Sequence, residues 1–248
     1  MRVTPMPSNK KQHISKDIIK KARKLGASQA GLVSVASIRD SPSHRAYREI
    51  QLSSEANSVV VLALMHDQTD PQLDWWDGKH GTEGNRILIN IGKDLARWLA
   101  QKYGITARDL AYQVDEGGIF LKDAAVSAGL GALGKNNLLI TPDFGPRVRL
   151  RAFSIDADVE PTGPIDFAPC ETCDMPCRQT CPQGAFQSGS YDRSLCNEQM
   201  EHDKENALTS NEADYVNSSG ILIKYCRVCE FACPVARKEE KKKNQVSI

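Results

Sequence analysis

Apolar residues recur along the first 156 positions with two alternating periods. Ser15 to Leu25, "SKDIIKKARKL", opens on a capping residue, carries apolar side chains at helical spacing and ends before Gly26; it predicts an amphipathic helix. "AGLVSV" (30–35) and "NSVVVLAL" (57–64) predict strands, with a helical "RAYREIQL" (45–52) between them. "DQTDPQLDWWDGKHG" (67–81) is polar and rich in turn residues. A long helix is predicted over 84–103, stopped by Gly104. "ITARDLAYQVD" (105–115) predicts a short strand and "GIFLKDAAVSAG" (118–129) a helix ending at glycines. "NLLITP" (137–142) and "RVRLRAFSID" (147–156) predict further strands. Alternating helices and strands over 14–156 point to an α/β layer fold. Beyond about residue 160, cysteines, prolines and short helical segments take over.

Composition sharpens this division. All eight cysteines of the 248-residue chain lie between Cys170 and Cys233. Net charge is only +1, yet residues 1–50 carry 11 Lys/Arg against 3 Asp/Glu, and residues 151–236 carry 6 against 14. A basic start and a basic tail frame an acidic cysteine segment. These are solvated faces, or else a docking surface for an acidic redox partner or nucleic acid. The longest apolar run, Val59 to Met65, has strand length and not membrane length. The first residues show neither a hydrophobic signal region nor a twin-arginine pair, which predicts a cytoplasmic protein without membrane association.

"GLGALGKN" (129–136) matches two nucleotide motifs, G-x-G-x-x-G and G-x-x-x-x-G-K. Both require a strand before the glycines and a helix after them. Here the predicted order is helix, glycines, strand, and Asn136 has no hydroxyl for magnesium, so neither motif applies. A helix C-cap accounts for Gly129 but leaves Gly131, Gly134 and Lys135 unexplained.

The cysteines form two motifs, Cys170-x2-Cys173-x3-Cys177-x3-Cys181-Pro182 and Cys226-x2-Cys229-x3-Cys233-Pro234, with Cys196 between them. In bacterial two-cluster ferredoxins the cysteine before proline ligates the other cluster. By that crossing, Cys170, Cys173 and Cys177 would share one [4Fe–4S] cluster with Cys233. Cys181 would join Cys196, Cys226 and Cys229 at a second. Zinc would also accept paired C-x2-C units but leaves both Cys-Pro endings without a role. Disulfides suit neither this spacing nor a cytoplasmic chain.

Residues 128–150, "AGLGALGKNNLLITPDFGPRVRL", "PIDF" (164–167) and the two cysteine motifs together resemble the cobalamin-dependent reductases, that is, the reductive dehalogenases and epoxyqueuosine reductases. The resemblance implies an α/β (α+β) fold: a nitroreductase-like, cobalamin-binding core over 1–160 and a ferredoxin-like double-cluster domain over 161–236, before a basic tail at 237–248. It implies electrons passing from two [4Fe–4S] clusters to a base-off corrinoid that reduces a small or nucleoside-like substrate. The electrons would come from a low-potential donor such as ferredoxin or flavodoxin. The glycine loop becomes part of the corrinoid cradle, with Gly129, Gly131 and Gly134 permitting close approach and Lys135, Asn136 and Asn137 supplying polar contacts. Epoxyqueuosine reductases keep a catalytic acid in a "VD" pair, matched here by Val114-Asp115. Asp115 would protonate the substrate, or else it merely caps the helix beginning near Gly117. His66 is a substitute proton donor, or a structural histidine. Trp75 and Trp76 would line a substrate entrance or anchor their loop. Two further readings are an electron relay without substrate chemistry, and an enzyme acting on tRNA through phosphate contacts of the basic N-terminus.

Overall fold

The computed structural model describes residues 6–47, 52–67, 71–77, 81–209 and 221–236. In chain order the first elements are α1 (Ser8–Lys24), β1 (Gln29–Ser34), α2 (Val35–Arg39), α3 (Pro42–Tyr47) and β2 (Ser58–Met65). A 3-10 turn at Pro71–Asp74 precedes α4 (Glu83–Tyr103), β3 (Ala107–Asp109), α5 (Leu121–Ser127), β4 (Ala132–Leu133), β5 (Leu139–Ile140) and β6 (Val148–Ile155). The cysteine segment adds α6 (Pro176–Gln179), α7 (Arg193–Glu205), β7 (Leu208–Thr209), β8 (Ile221–Leu222) and α8 (Val228–Phe231).

Four strands form the central sheet in the order β1-β2-β6-β3, and every neighbouring pair is antiparallel. Val60 of β2 faces Leu32 on one side and Phe153 on the other. Helices cover both faces. On one, Ile14, Ile18 and Ala22 of α1 and Leu88, Ile91, Leu95 and Leu99 of α4 pack on Leu32, Val60 and Leu62. On the other, Ile38 of α2 and Ala124 and Ala125 of α5 pack on Val33, Val59 and Val61. β2 is thus covered on both faces, which explains why "VVVLALM" (59–65) is continuously apolar and does not alternate. Each fully buried Leu or Ile contributes about 2 kcal/mol through burial of its apolar surface.

The α4 pattern holds closely. Thr82 caps the helix by accepting from the Asn85 N–H at 3.1 Å, and Gly104 closes it in the left-handed conformation. The first helix differs from expectation: it starts at Ser8, and Ser15 lies inside it. The Ser15 hydroxyl bonds to the carbonyls of Lys11 (3.0 Å) and Glu160 (2.7 Å). The polar run Asn9–His13 hides the first turns from any hydrophobic period. The helical segment expected at 45–52 is present up to Tyr47; residues 48–51 lie outside the described residues. The strand expected in 105–115 spans only Ala107–Asp109, and α5 starts at Leu121, later than expected.

Residues 129–140 form a tight hairpin. Gly129 ends the α5 region at positive φ, β4 pairs with β5, and Asn137 turns the chain at φ 58°. Among the described residues no helix is long and apolar enough to cross a membrane.

Candidate active site

The carboxyl end of β2 brings His66 beside the start of β6, where its N–H bonds to the carbonyl of Arg147 at 3.2 Å. There the sheet opens into a cleft of about 660 Å³. The volume lies within the range of ligand and cofactor sites. The N-terminal end of α4 (Thr82, Asn85) forms one wall, and residues 112–114, Glu116 and residues 119–123 form another. Leu139, Val148 and Leu150 are among its apolar lining. His66, Lys122, Arg149 and Glu230 bring titratable groups to it.

At one end stands a buried ionic network. The Asp74 side chain is 0% exposed and that of His66 2% exposed. Asp74 Oδ2 is 2.6 Å from His66 Nδ1 and 2.5 Å from Arg227 Nη1, while Arg149 Nε donates to Oδ1. Burial alone would raise the Asp74 carboxyl, but His66, Arg149 and Arg227 outweigh it and hold it below its usual range. Arg227 also donates to both oxygens of Glu230, at 2.5 and 3.0 Å. His66 Nδ1 meets Arg227 as well as Asp74, and Nε2 lies 3.5 Å from Glu230. Nδ1 either donates to Asp74 or accepts from Arg227, according to the tautomer, and Nε2 faces Glu230.

Lys122 is held on the opposite wall, its Nζ donating to the carbonyl of Asn137 at 2.7 Å. Burial lowers its ammonium pKa against the opposing pull of Asp123. Asp115 lies in the turn 113–117 and is exposed; it does not line the cleft, whereas Gln113, Val114 and Glu116 do. Nor does it cap α5, whose N-cap position is Phe120 with no side-chain bond.

The glycine loop stands next to the cleft, with Leu138 and Leu139 reaching it. A Cβ on Gly129 would press on the backbone of Thr162 and Gly163, at 2.8 and 2.9 Å. At Gly131 it would collide with the Ile140 carbonyl, and at Gly134 it would lie 2.6 Å from Asn136 Oδ1. The close approaches at these glycines are thus made to the chain itself. Lys135 is exposed at the hairpin tip. Asn136 is buried; its Oδ1 accepts from the Leu138 N–H at 3.3 Å, and its Nδ2 donates to the Cys229 carbonyl at 3.4 Å.

The thiols fall into two neighbourhoods. Burial raises the Cys177 thiol, and Cys233, Cys170 and Cys173 add to it. Burial likewise raises Cys226, where Cys181 and Cys196 add. Cys229 is pushed up to about 12, first by burial and then by Cys226, with Glu230, Cys196 and Cys177 contributing. These influences associate Cys177 with Cys170, Cys173 and Cys233, and Cys226 with Cys181 and Cys196, the grouping expected from the sequence. Cys177 and Cys229 are where the sets influence each other. Among the described residues no three His, Cys, Asp or Glu side chains converge on a single-ion site. Two sets of four thiols suit the Cys₄ ligation of iron–sulfur clusters. Backbone N–H groups of Met175 and Ala185 point at the sulfurs of Cys173 and Cys181, both at 3.4 Å.

The cysteine segment is fastened to the cleft. Trp76 and Ile223 exchange backbone hydrogen bonds of 3.0 and 2.8 Å, Trp76 packs edge-on against Tyr225, and Lys224 Nζ sits 4.2 Å from the Trp75 ring centre. The adjacent tryptophans anchor this seam, and Trp76 also lines the cleft. Sequence reasoning missed Asp74, Arg149, Arg227, Glu230 and Lys122. The one signal for two of them is position, since Arg227 and Glu230 each adjoin a motif cysteine.

In sequence and in fold the chain is similar to reductases of two kinds. No protein-family model matches the chain. It is 34% identical over 119 residues to the tetrachloroethene reductive dehalogenase of Sulfurospirillum multivorans, covering 46% of this chain and 23% of that protein. It is 33% identical over 164 residues to the epoxyqueuosine reductase of Gloeobacter violaceus, covering 65% of this chain and 49% of that one. The chain thus spans about half or less of these curated relatives. Among solved structures, an epoxyqueuosine reductase from Bacillus subtilis, with an aspartate-bearing catalytic loop swung out of the active site, superposes with a TM-score of 0.60. That match is 18% identical and covers 91% of this chain and 66% of that one. A reductive dehalogenase whose structure suggests a mechanism for B12-dependent dehalogenation gives a TM-score of 0.60 at 17% identity, covering 96% and 35%. These likenesses show a shared fold.

Proposed function

We propose that the chain is an oxidoreductase in which the two thiol sets hold [4Fe–4S] clusters and the cleft holds a corrinoid, for reduction of a small or nucleoside-like substrate. One observation carries the reading: Glu230, the residue after Cys229, is itself a wall of the cleft. The second cysteine motif and the ligand space therefore share a boundary. When bound, the clusters would supply single electrons and the corrinoid a strongly reducing cobalt centre. The electrons would enter from a low-potential donor such as ferredoxin or flavodoxin. Residues 1–160 would form the cofactor-binding core and 161–236 the double-cluster domain.

The chain's own groups have distinct tasks. The apolar lining from Leu139, Val148 and Leu150 would exclude water from the reacting centre. The hairpin tip with Lys135, Asn136 and Asn137 would border the cofactor, its glycines keeping the hairpin tight. Asp115 would be the proton donor. Its turn forms the rim of the cleft, its carboxyl makes no cap bond there, and the solved Bacillus subtilis epoxyqueuosine reductase has an aspartate-bearing catalytic loop swung out of its active site. His66, buried against Asp74, Arg227 and Glu230, would hold the cleft wall.

The test is anaerobic reconstitution with iron and sulfide, followed by cobalamin. A stoichiometric base-off corrinoid spectrum that survives desalting is the expected result. Clusters that form while cobalamin washes away would overturn the enzyme reading in favour of an electron relay.

A further inference from the structure

Arg227 occupies an unusual place. It lies inside Cys226-x2-Cys229, yet besides the adjacent Glu230 it donates to Asp74, 153 residues earlier. Four charged groups meet there with little solvent: Asp74 and Glu230 against Arg149 and Arg227. The two carboxylates and two guanidiniums balance, with the buried His66 ring set between the two acids. The balance is local: of the two guanidiniums only Arg227 contacts both acids, while the Arg149 contacts within the network all go to Asp74. Removing one member leaves an uncompensated charge beside the Cys226–Cys229 loop, where low solvent content weakens screening.

We propose that the Asp74–Arg227 pair is a positioning and charge-setting device that fixes the reduction potential of the cluster held through Cys226 and Cys229, separately from that of the other cluster. The inference rests on the cluster assignment above. Its direction follows from charge. Reduction adds one electron to the cluster, so an extra nearby cation favours it and an extra nearby anion opposes it. Arg227→Gln leaves Glu230 and part of Asp74 without a counter-charge. Asp74→Asn leaves Arg227 and Arg149 in excess. The two changes break the same contact but shift local charge in opposite senses. Simple loosening of the loop would not separate them by sign.

The experiment is an EPR-monitored redox titration of the reconstituted protein, each cluster accepting one electron from dithionite. Cys196→Ser, which removes a ligand from the second set alone, assigns the signals. The potential of the second-set cluster should fall in Arg227→Gln and rise in Asp74→Asn. It should stay near wild type in Arg227→Lys, while the Cys170-set cluster moves less throughout. Asp74→Asn and Arg227→Lys, which keep size or charge, carry the test if Arg227→Gln loses iron. Shifts of one sign in both charge-changing variants, equal movement of both clusters, or no movement would overturn the inference alone. Wild-type protein that takes up no iron and sulfide would overturn the cluster assignment and this inference with it.

Discussion

Gly131 runs so close to Ile140 that a methyl group on its Cα would collide with the Ile140 carbonyl oxygen. The neighbouring atoms are backbone and cannot swing away. Gly131→Ala should therefore destabilise the cofactor-free chain by about 1–3 kcal/mol, the usual cost of overpacking. The denaturation midpoint in urea checks this. An unchanged midpoint would mean that the glycine serves only a bound ligand.

Asp74 should make the protein acid-sensitive. Its folded carboxyl lies below the usual range because His66, Arg149 and Arg227 overcome the cost of burial. The stability this contributes is present above the unfolded carboxylate value and is lost as pH falls through the lowered folded value. Melting temperature followed downward from neutral pH should drop less steeply in Asp74→Asn than in wild type. At neutral pH the variant should already be about 3–5 kcal/mol less stable, as expected for a broken buried pair.

The thiols act in the opposite pH direction. In the metal-free chain burial raises Cys177, Cys226 and Cys233, and pushes Cys229 up to about 12. The protonated folded form is favoured at and below the ordinary thiol range, and this contribution is lost as pH rises towards the folded values. Metal-free protein should accordingly lose stability as pH climbs through that range. Iron uptake, which needs thiolates, should accelerate with pH over the same interval. Absorbance growth during reconstitution at a series of pH values measures the second effect.

Asp115 and His66 should separate cleanly. Asp115 is exposed and caps nothing, so Asp115→Asn should leave unfolding free energy within about 0.5 kcal/mol of wild type. Turnover by cofactor-loaded protein should nevertheless fall about 10²–10⁴-fold, the contribution typical of a positioned general acid. His66→Gln should instead lower stability by about 1–3 kcal/mol, because Asp74 and Arg227 lose a partner in a buried site. Calorimetry of both variants beside a substrate-reduction assay resolves the pair. Full activity in Asp115→Asn would remove its proposed role.

Local chemistry in the chain was enough to define α4, whose Thr82 cap, Leu88-Ile91-Leu95-Leu99 spacing and Gly104 stop all lie within a few residues of what they act on. The same holds for β2, where an unbroken apolar run reports cover on both faces, and for the spacing of the eight cysteines. Tertiary structure decided the rest. Nothing near Asp74 distinguishes it from Asp67 or Asp70 in the sequence. It becomes a buried hub because Arg149 and Arg227 arrive from β6 and from the second cysteine motif. Ser15 resembles a helix cap until α1 is seen to start at Ser8, with the Ser15 hydroxyl pinned on Glu160. The spacing of Gly129, Gly131 and Gly134 suggested a ligand loop, but the atoms that forbid a side chain there belong to Thr162, Ile140 and Asn136. Periodicity and capping act over one or two helical turns and can be read along the chain. Burial of charge and close backbone crossing depend on segments distant in sequence, and only the folded packing brings those together.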